Sequence, residues 1–379
     1  YEYSRMAIDL ALGRGGDQVV VKEGENVVYY GGNSKQVEKN TRVKARVKAH
    51  ALREIIESRE HVMIMGHSIS DTDAFGAAIG IYCAARVLGK KAQIVLDQVT
   101  SSLRPLKEGF TTEKGYPPDM FVSSERALEL TDYNTLVMVV DVNRPSHTEC
   151  PGLLKRTDSI VVFDHHRQSS EVISNPVLSY IEPYASSTCE MVAEVLQYFT
   201  ENIKLAPHEA DCIYAGILID TSNFMTKTGV RTFEAAAYLK RCGAEVTRVR
   251  KMLRNDMDAY KARAEVVRHA EVYRGAFAIS ICPADKIESP TIVGAQAADE
   301  LLNIVGIKAS FVLTEYQGKI YVSSRSIDEI NVQKIMERLG GGGHLNMAGC
   351  QLRDCTVSQA QRIIEDTIDE MLEEGDIEE

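Results

Sequence analysis

The sequence has no long apolar segment, no closely paired cysteines and no excess of basic residues. Its longest uncharged apolar run covers residues 74–85, whereas a membrane span needs about 20 residues, so we expect no membrane contact by this part of the chain. No secretory signal is recognised, and the eight cysteines form no CxxC pair, which predicts reduced thiols in a cytosolic compartment. The formal net charge of −11 argues against non-specific binding to duplex nucleic acid, because that binding needs a dense basic surface.

Changes of pattern along the 379 residues predict five segments. The chain begins with Tyr1 rather than methionine, so we interpret the first segment, with its predicted hairpin over 18–22 and 26–30, as the end of another domain. A connecting helix, a main domain, a helical linker and a smaller mixed domain follow. The predicted segments are residues 1–33, 34–58, 59–232, 233–268 and 269–379.

The connecting helix is predicted from apolar residues spaced four apart. The residues predicted to form its buried face are Val43, Val47, Ala51 and Ile55. Seven basic residues between positions 35 and 53 would then lie on the outer face, where a solvated surface is the simpler interpretation and a nucleic-acid patch is the alternative. This helix, or the linker at 233–268, could pair with the same segment of a second chain, so a homodimer is a further hypothesis.

Short apolar runs alternate with helical stretches in the main domain. The runs predicted as buried strands are residues 62–65, 92–96, 136–140 and 160–163, and the clearest helices are 74–88 and 189–199. This alternation predicts an α/β fold, with a mostly parallel sheet that has helices on both faces. In such sheets, binding sites collect beyond the carboxyl ends of the strands.

Four clusters of acidic and histidine residues stand at the predicted ends of these elements. Their members are His67, Asp71 and Asp73; Asp141; Asp164, His165 and His166; and Asp220. A single Asp after a strand is usually a helix cap or turn residue, but four clusters at one sheet edge would repel one another unless cations were bound. Mixed Asp and His ligands suit Mn²⁺ better than Ca²⁺, and the lack of cysteine in the clusters argues against a structural zinc site.

The ordered set of motifs resembles the DHH phosphoesterase superfamily. The triplet Asp164-His165-His166 resembles the motif that names it, and Asp71 and Asp73 match its DxD motif. The glycine-rich stretch that ends at His344 resembles the signature of the accessory DHHA1 domain, so the resemblance covers roughly residues 50–375. It implies a DHH domain and, across a cleft, a smaller mixed α/β DHHA1 domain.

The resemblance also implies a cofactor of two Mn²⁺ ions per chain. Carried over by position, the first ion would be held by His67, Asp71 and Asp141, and the second by Asp73, Asp141, His165 and Asp220. Asp141 would bridge the ions and be essential for catalysis. His166 would bind the phosphate or donate a proton, and Asp164 would orient a ligand.

Candidate substrate-binding residues lie mostly in the smaller domain. The backbone of Gly341, Gly342 and Gly343 could approach an anion closely, with His344 as a further donor, although glycines alone also suit a flexible linker. The other candidates for phosphate or substrate contact are Ser324, Arg325 and Arg144.

The superfamily leaves four substrate classes open: pyrophosphate, single-stranded DNA ends, short RNA oligomers and cyclic dinucleotides. A DHHA1 domain argues against pyrophosphate, and the net charge argues against long DNA. Residues 12–21 resemble the tail of a degenerate GGDEF domain. A GGDEF-like domain before a DHH–DHHA1 pair is similar to the arrangement of the GdpP (YybT) family. That resemblance implies hydrolysis of cyclic-di-AMP to linear 5′-pApA, in a membrane-anchored parent whose present part faces the cytoplasm. A phosphodiesterase for short oligonucleotides such as pApA and a non-catalytic cyclic-dinucleotide sensor are the alternatives.

Overall fold

The computed structural model describes residues 8, 18–23, 26–31, 42–168, 171–201, 203–254, 257–284, 287, 289–327 and 330–377. The chain divides into two compact units, Tyr1–Arg254 and Asn255–Glu379. This division falls inside the segment 233–268 that is predicted as a helical linker.

The predicted hairpin near the start of the chain is confirmed. Strands β1 (Gln18–Glu23) and β2 (Asn26–Gly31) pair antiparallel, with Val21 opposite Val28. Of the GGDEF-like residues 12–21, residues 12–17 lie outside the described residues and residues 18–21 belong to β1. Residues 34–41 of the predicted connecting helix also lie outside the described residues.

The first unit is built on a six-stranded, fully parallel sheet, as predicted. Its strands are β3 (His61–Met65), β4 (Lys91–Val95), β5 (Phe121–Val122), β6 (Thr135–Val140), β7 (Ile160–Asp164) and β8 (Leu178–Ile181). They lie in the order β5-β4-β3-β6-β7-β8. Strands β3, β6 and β7 are therefore neighbours, and the loops that follow them leave the same edge of the sheet.

Helices cover both faces of this sheet. They are α1 (Arg42–Glu57), α2 (Thr72–Val87), α3 (Arg104–Lys107), α4 (Ser124–Leu130), α5 (Thr188–Phe199), α6 (Pro207–Asp220), α7 (Val230–Arg241) and α8 (Val246–Met252). Val62 and Ile64 of β3 join the large core with α1, α2, α5 and α6, whereas Met63 and Met65 join a smaller core with α4. Alternate strand residues thus bury both faces, which explains the continuous apolar runs in the sequence.

Helix α1 is present, but the predicted buried face is wrong in its first half, whereas Ala51 and Ile55 are partly buried against the core. Val43 and Val47 are 70% and 60% exposed. The residues that pack inward are Ala45, Ala49, Leu52 and Ile56. The small alanine side chains let α1 lie close to α5, and this gain in packing overrides the more apolar valine positions.

The basic residues of α1 are partly engaged within the protein. Lys44 pairs with Glu182 at 2.7 Å, and the Lys48 ammonium donates to the Ser179 carbonyl oxygen at 2.8 Å. These contacts favour a role in helix docking over the predicted alternative of a nucleic-acid patch.

The second unit has a mixed six-stranded sheet and confirms the predicted smaller α/β domain. Its elements are α9 (Met257–Arg268), β9 (Glu271–Tyr273), β10 (Phe277–Cys282), α10 (Pro290–Leu301), β11 (Ala309–Tyr316), β12 (Lys319–Ser326), α11 (Val332–Arg338), β13 (Gly342–His344), β14 (Met347–Leu352) and α12 (Val357–Glu373). The strand order is β13-β14-β12-β11-β10-β9, and only the pair β10–β11 is parallel among these described strands. In the part of the chain that is described, no helix is long and apolar enough to cross a bilayer.

Candidate metal centre

The polar clusters that follow β3, β6 and β7 come together around Asp141. The Nε2 atom of His67 lies 3.7 Å from one carboxylate oxygen of Asp141, and the Nε2 atom of His165 lies 3.5 Å from the other. Asp220, at the end of α6, lies 3.3 Å from the same nitrogen of His165. Four segments far apart in the sequence therefore contribute to one site.

Three overlapping groups of possible metal ligands can be distinguished among the described residues. In each group the ligand atoms lie within 4.8 Å of one another. The groups are His67, Asp71 and Asp141; Asp73, His165 and Asp220; and Asp141, His165 and His166. The first equals the set implied for one ion, the second contains three of the four residues implied for the other, and the third brings in His166 as well.

Asp141 is held in an uncommon conformation. Its φ of +61° is left-handed, although the residue is not a glycine. Its backbone N–H donates to the Phe163 carbonyl oxygen at 2.8 Å, and the Thr188 hydroxyl donates to its Oδ1 atom at 3.0 Å. The side chain is almost fully buried, so the backbone and Thr188 together aim the carboxylate between His67 and His165.

Asp71 and Asp73 are fixed by the ends of two helices. Asp71 caps α2, since its Oδ1 atom accepts hydrogen bonds from the backbone N–H groups of Asp73 and Ala74, each at 3.0 Å. Asp73 is fully buried and accepts from the backbone N–H groups of Thr188 and Cys189 at 2.7 and 2.9 Å. The first turn of α5 therefore stabilises the Asp73 carboxylate.

His165 presents one ring nitrogen to the carboxylates. Its Nδ1 atom lies 3.3 Å from the Ala185 carbonyl oxygen, so in the neutral imidazole Nδ1 carries the proton and Nε2 has the lone pair that a metal ion would bind. Within the described part of the chain, Nε2 is buried without a hydrogen-bond partner. A buried imidazole lone pair among carboxylates fits a divalent metal ion, and the carbonyl contact is the second hydrogen bond that orients metal-binding histidines.

The electrostatics of the site also favour bound cations. Burial raises the pKa of Asp73 to about 6, and the neighbouring Asp220 adds to the rise. Burial and the charges of Asp73 and Asp71 raise the pKa of Asp141 well above its usual range. Burial opposes protonation of His165, but the contact with Asp220 at 3.3 Å and the other nearby carboxylates raise its pKa to about 9. A divalent cation would offset the repulsion among these carboxylates.

Asp164 and Asn143 position His166. Asp164 accepts from the His166 backbone N–H at 3.0 Å and lies 2.8 Å from its Nδ1 atom. The Asn143 side-chain amide donates to the other Asp164 oxygen at 2.5 Å. The His166 ring is half-exposed, so this arrangement leaves its Nε2 atom as the nitrogen that can reach a ligand.

Two predicted substrate residues on β12 have internal partners. Arg325 pairs through Nε with Asp299 at 2.8 Å, and its Nη1 atom donates to the Ser324 carbonyl oxygen at 3.0 Å. Ser324 is fully buried, and its hydroxyl donates to the Ala348 carbonyl oxygen at 2.9 Å. The prediction of direct substrate contact by Ser324 is therefore corrected, because its side chain faces the core side of β12.

The glycine-rich stretch is strand rather than flexible linker. A Cβ atom at Gly341 would lie 2.2 Å from the Gly349 carbonyl oxygen, and one at Gly343 would lie 2.4 Å from Ala348 Cα. These two glycines allow β13 to cross close to β14. Gly342 differs, because a Cβ atom there would meet no described atom within 4 Å. Arg144, the remaining substrate candidate, is exposed on the loop after β6.

Three residues that support the site are not among the predicted site residues. Thr188 and Asn143 orient Asp141 and Asp164, and Gly216 allows α6 to approach. A Cβ atom at Gly216 would lie 2.4 Å from Cys189 Sγ and 3.0 Å from Asp73 Cα. Thr188 had a weak signal, as part of a Ser-Ser-Thr run before a helix. Asn143 and Gly216 had none that a single sequence reveals.

Comparison with known families agrees with this geometry. Residues 61–217 match the model "DHH family, N-terminal domain", and residues 277–374 match the model "DHHA1 domain". This is a DHH–DHHA1 chain. DHH phosphoesterases are metal-dependent, and the cluster around Asp141 in the DHH–DHHA1 chain offers ligands for metal ions.

The DHH–DHHA1 chain is similar to curated proteins over nearly all its length. It is 43% identical over 377 residues to the "Cyclic-di-AMP phosphodiesterase GdpP" of Geobacillus thermodenitrificans, covering 98% of this chain and 57% of that protein. It is 40% identical over 372 residues to the "Cyclic-di-AMP phosphodiesterase PdeA" of Listeria monocytogenes, covering 97% and 56%. The chain therefore spans little more than half the length of these relatives.

A solved structure supports the fold. The crystal structure of an exopolyphosphatase-related protein from Bacteroides fragilis matches with a TM-score of 0.74 at 18% identity, covering 86% of this chain and 96% of that one.

Proposed function

We propose that the DHH–DHHA1 chain hydrolyses cyclic-di-AMP to linear 5′-pApA with two Mn²⁺ ions per chain. The observation that carries this proposal is the convergence of the clusters that contain His67, His165 and Asp220 around a single buried carboxylate, Asp141. The substrate is proposed from the activity for which the relatives at 40–43% identity are named.

The ligand groups accommodate the two ions in overlapping sets. In the proposal the first set is His67, Asp71 and Asp141, and the second is Asp73, Asp141, His165 and Asp220. Paired divalent ions supply a water of lowered pKa and stabilise charge on the phosphoryl oxygens. Asp141 belongs to both sets, and its bond from Thr188 keeps its carboxylate directed between the two imidazoles.

His166 is the residue of the first unit that we assign to the phosphate. Its Nδ1 atom is occupied by Asp164, so Nε2 is the donor for a phosphoryl oxygen or for the departing ribose oxygen. Asn143 holds Asp164 in place and so fixes the direction of the imidazole. In this scheme Asp164 and Asn143 are positioning residues.

The second unit is proposed to hold the substrate. The backbone N–H groups around Gly341, Gly342 and Gly343 and the residue His344 would bind a phosphate, together with Arg325. Asp299 holds Arg325 Nε and the Ser324 carbonyl oxygen accepts from Nη1, so in this proposal Nη2 is the nitrogen left to donate to a phosphate. Arg144, on the loop after β6 in the first unit, is a further candidate for contact with a phosphate.

The alternatives predict different products. A short-oligonucleotide phosphodiesterase would cleave pApA faster than the cyclic form, and a sensor would bind without turnover. The buried, mutually repelling carboxylates favour catalysis, since a sensor has no need to keep them at the cost of stability.

The test combines metal analysis with product identification. The purified chain would be reconstituted with Mn²⁺, its metal content measured by mass spectrometry, and a panel of cyclic and linear dinucleotides separated by chromatography. We expect about two ions per chain and release of pApA from cyclic-di-AMP. Faster cleavage of pApA, or binding of cyclic-di-AMP without product, would overturn the proposal.

The partners and location follow the same reasoning. We propose cyclic-di-AMP and linear dinucleotides as the nucleotide partners, with duplex nucleic acid excluded by the net charge of −11. A homodimer and a position on the cytoplasmic side of a membrane-anchored parent are further proposals, which light scattering and cell fractionation would test.

A further inference from the structure

Two phenylalanines form a stack beyond the metal ligand Asp220. The rings of Phe224 and Phe233 have centroids 5.3 Å apart and planes inclined by 21°. Phe224 is half-buried and also contacts Tyr214, with centroids 6.1 Å apart. Phe233 is 55% exposed, so the stack is supported from within and presents one ring to solvent.

The loop after Asp220 keeps Phe224 close to the metal centre. Ser222, Asn223 and Phe224 have φ values of +47°, +60° and +64°, which non-glycine residues rarely adopt in succession. The Asn223 N–H donates to the Leu218 carbonyl oxygen at 2.7 Å, which folds the loop back over the end of α6. Phe224 therefore follows Asp220 by four residues within a tightly wound turn.

A second contact ties Phe233 to the same end of the unit. The hydroxyl of Thr232, its neighbour, donates to Glu190 at 2.6 Å. Glu190 lies in the first turn of α5, whose Thr188 and Cys189 amides hold the Asp73 carboxylate. Two independent connections thus place the exposed ring at the metal-binding end of the fold.

We propose that Phe233, supported by Phe224, is a stacking platform for one nucleobase of the dinucleotide substrate. This inference rests on the proposed function and adds to it a residue that holds the base. Every nucleobase has a π face that can stack on an aromatic ring, so the contact suits a nucleotide whose phosphate is held at the nearby metal centre. Because stacking tolerates any base, Phe233 contributes affinity and leaves the choice of adenine to other contacts.

The first test separates binding from chemistry. We expect Phe233→Ala to raise KM for cyclic-di-AMP about 10-fold while kcat and metal content change by less than about twofold. The matched control is Tyr133→Ala. Tyr133 is 83% exposed and lies just before β6, at the amino ends of the strands and so away from the metal-binding end. An unchanged KM in Phe233→Ala, or an equal rise in both variants, would overturn the platform.

The second test reads stacking directly. The sequence contains no tryptophan, so Phe233→Trp introduces a single indole. A hydrolysis-resistant phosphorothioate analogue of cyclic-di-AMP and adenosine monophosphate should quench its fluorescence, whereas ribose 5-phosphate should not. Tyr133→Trp serves as the unquenched control. If either nucleotide quenches the fluorescence but the chain releases no pApA, the stacking platform is supported and the proposed function is refuted. If the chain releases pApA but neither nucleotide quenches the fluorescence, the proposed function is supported and the stacking platform is refuted.

Discussion

Asp141 combines a left-handed backbone with a buried charge, and both features are unfavourable unless something compensates for them. The Thr188 hydroxyl and the two flanking imidazoles stabilise the carboxylate, but burial and the neighbouring acids still raise its pKa well above the usual range. Asp141 thus lowers the stability of the metal-free protein, but it lies where both proposed ligand sets can use its carboxylate.

The first prediction concerns Asp141→Asn. We expect turnover of cyclic-di-AMP to fall by more than roughly 100-fold, since both ligand sets lose a carboxylate. The metal-free variant should be at least as stable as the parent, because an amide tolerates the left-handed backbone and removes a repelling charge. Thermal unfolding in EDTA and a product assay measure the two effects.

Asp141→Ala is the matched comparison. It should be equally inactive but less stable by about 1 kcal/mol than Asp141→Asn, because alanine is strained at a φ of +61° and Thr188 loses its acceptor. A near-normal rate in either variant would refute the bridging role.

The second prediction is a pH dependence of the metal-free protein. The pKa of His165 is raised to about 9 against an ordinary value of 6.5, despite burial, by Asp220 and the other carboxylates. Its contribution to stability is therefore complete below pH 6.5 and is lost as the pH rises towards 9. In denaturant unfolding with EDTA present, the free energy of unfolding should fall by up to about 1.4 kcal/mol per pH unit as the pH rises over this window.

Substitution at His165 checks the origin of this slope. His165→Gln should flatten the dependence between pH 6.5 and 9, whereas His269→Gln, at an exposed position in the second unit, should not. An unchanged slope in His165→Gln would assign the effect to other groups.

At the residue scale, the sequence reveals ligands but hides their supports. His67, Asp141 and His165 could be identified as candidate ligands because each lies within two residues of the end of an apolar run, and neighbouring parallel strands end at one edge. Asn143 could not be predicted and Thr188 had only a weak signal, because their roles depend on hydrogen bonds across 21 and 47 residues.

At the scale of elements, the packing of α6 against α2 and α5 sets the position of Asp220. Gly216 and Asp220 are one turn apart on α6, and Gly216 lies against Cys189 and Asp73. The absence of a side chain at this position lets the helix bring Asp220 to 3.3 Å from His165.

The third prediction follows for Gly216→Ala. Its Cβ atom would lie 2.4 Å from Cys189 Sγ, so α6 must move outward and carry Asp220 with it. We expect a loss of about 1–3 kcal/mol in the free energy of unfolding and weaker binding of the second metal ion, measured by metal titration.

The control is Gly80→Ala, which overpacks the same core further from the site. Its Cβ atom would lie 2.4 Å from a Val192 methyl group. A similar loss of stability with normal metal binding is expected. If the two variants bound metal equally well, the spacing role of Gly216 would be rejected.

The fourth prediction separates the two uses of glycine in β13. Gly343→Ala should lower the free energy of unfolding by about 1–3 kcal/mol, because its φ is +150° and Ala348 lies too close. Gly342→Ala has space and should fold normally, but it should raise KM for cyclic-di-AMP roughly 10-fold if the backbone there binds phosphate. Thermal melts and steady-state kinetics distinguish the two, and an unchanged KM in Gly342→Ala would remove this stretch from the phosphate site.

Predictions at this scale succeeded for element type and failed for some faces. The four central runs of the parallel sheet were predictable as strands, whereas the short strands β5 and β8 were not predicted. The first half of the inward face of α1 was wrong because small alanines pack more closely than valines. Ser324 was misassigned for a similar reason. It alternates with Ile320 and Val322 on the buried side of β12, and that alternation outweighs its polarity.

At the scale of the whole chain, the apolar cores follow the division into two units. The two clusters that bury the parallel sheet have all their members between residues 45 and 254, and the two that bury the mixed sheet have theirs between 255 and 379. Because hydrophobic burial is the main stabilising contribution, each unit contains the interactions that its own folding needs.

The fifth prediction is that the chain can be divided between Arg254 and Asn255. Each part should unfold cooperatively by circular dichroism, and the first should bind as many metal ions as the intact chain, because all the ligands around Asp141 belong to it. Turnover of cyclic-di-AMP by the first part alone should be far lower, with a raised KM, since Arg325 and the β13 glycines are absent. Full activity of that part would show that the second unit has no share in substrate binding, and failure of either part to fold would show that the cores depend on each other.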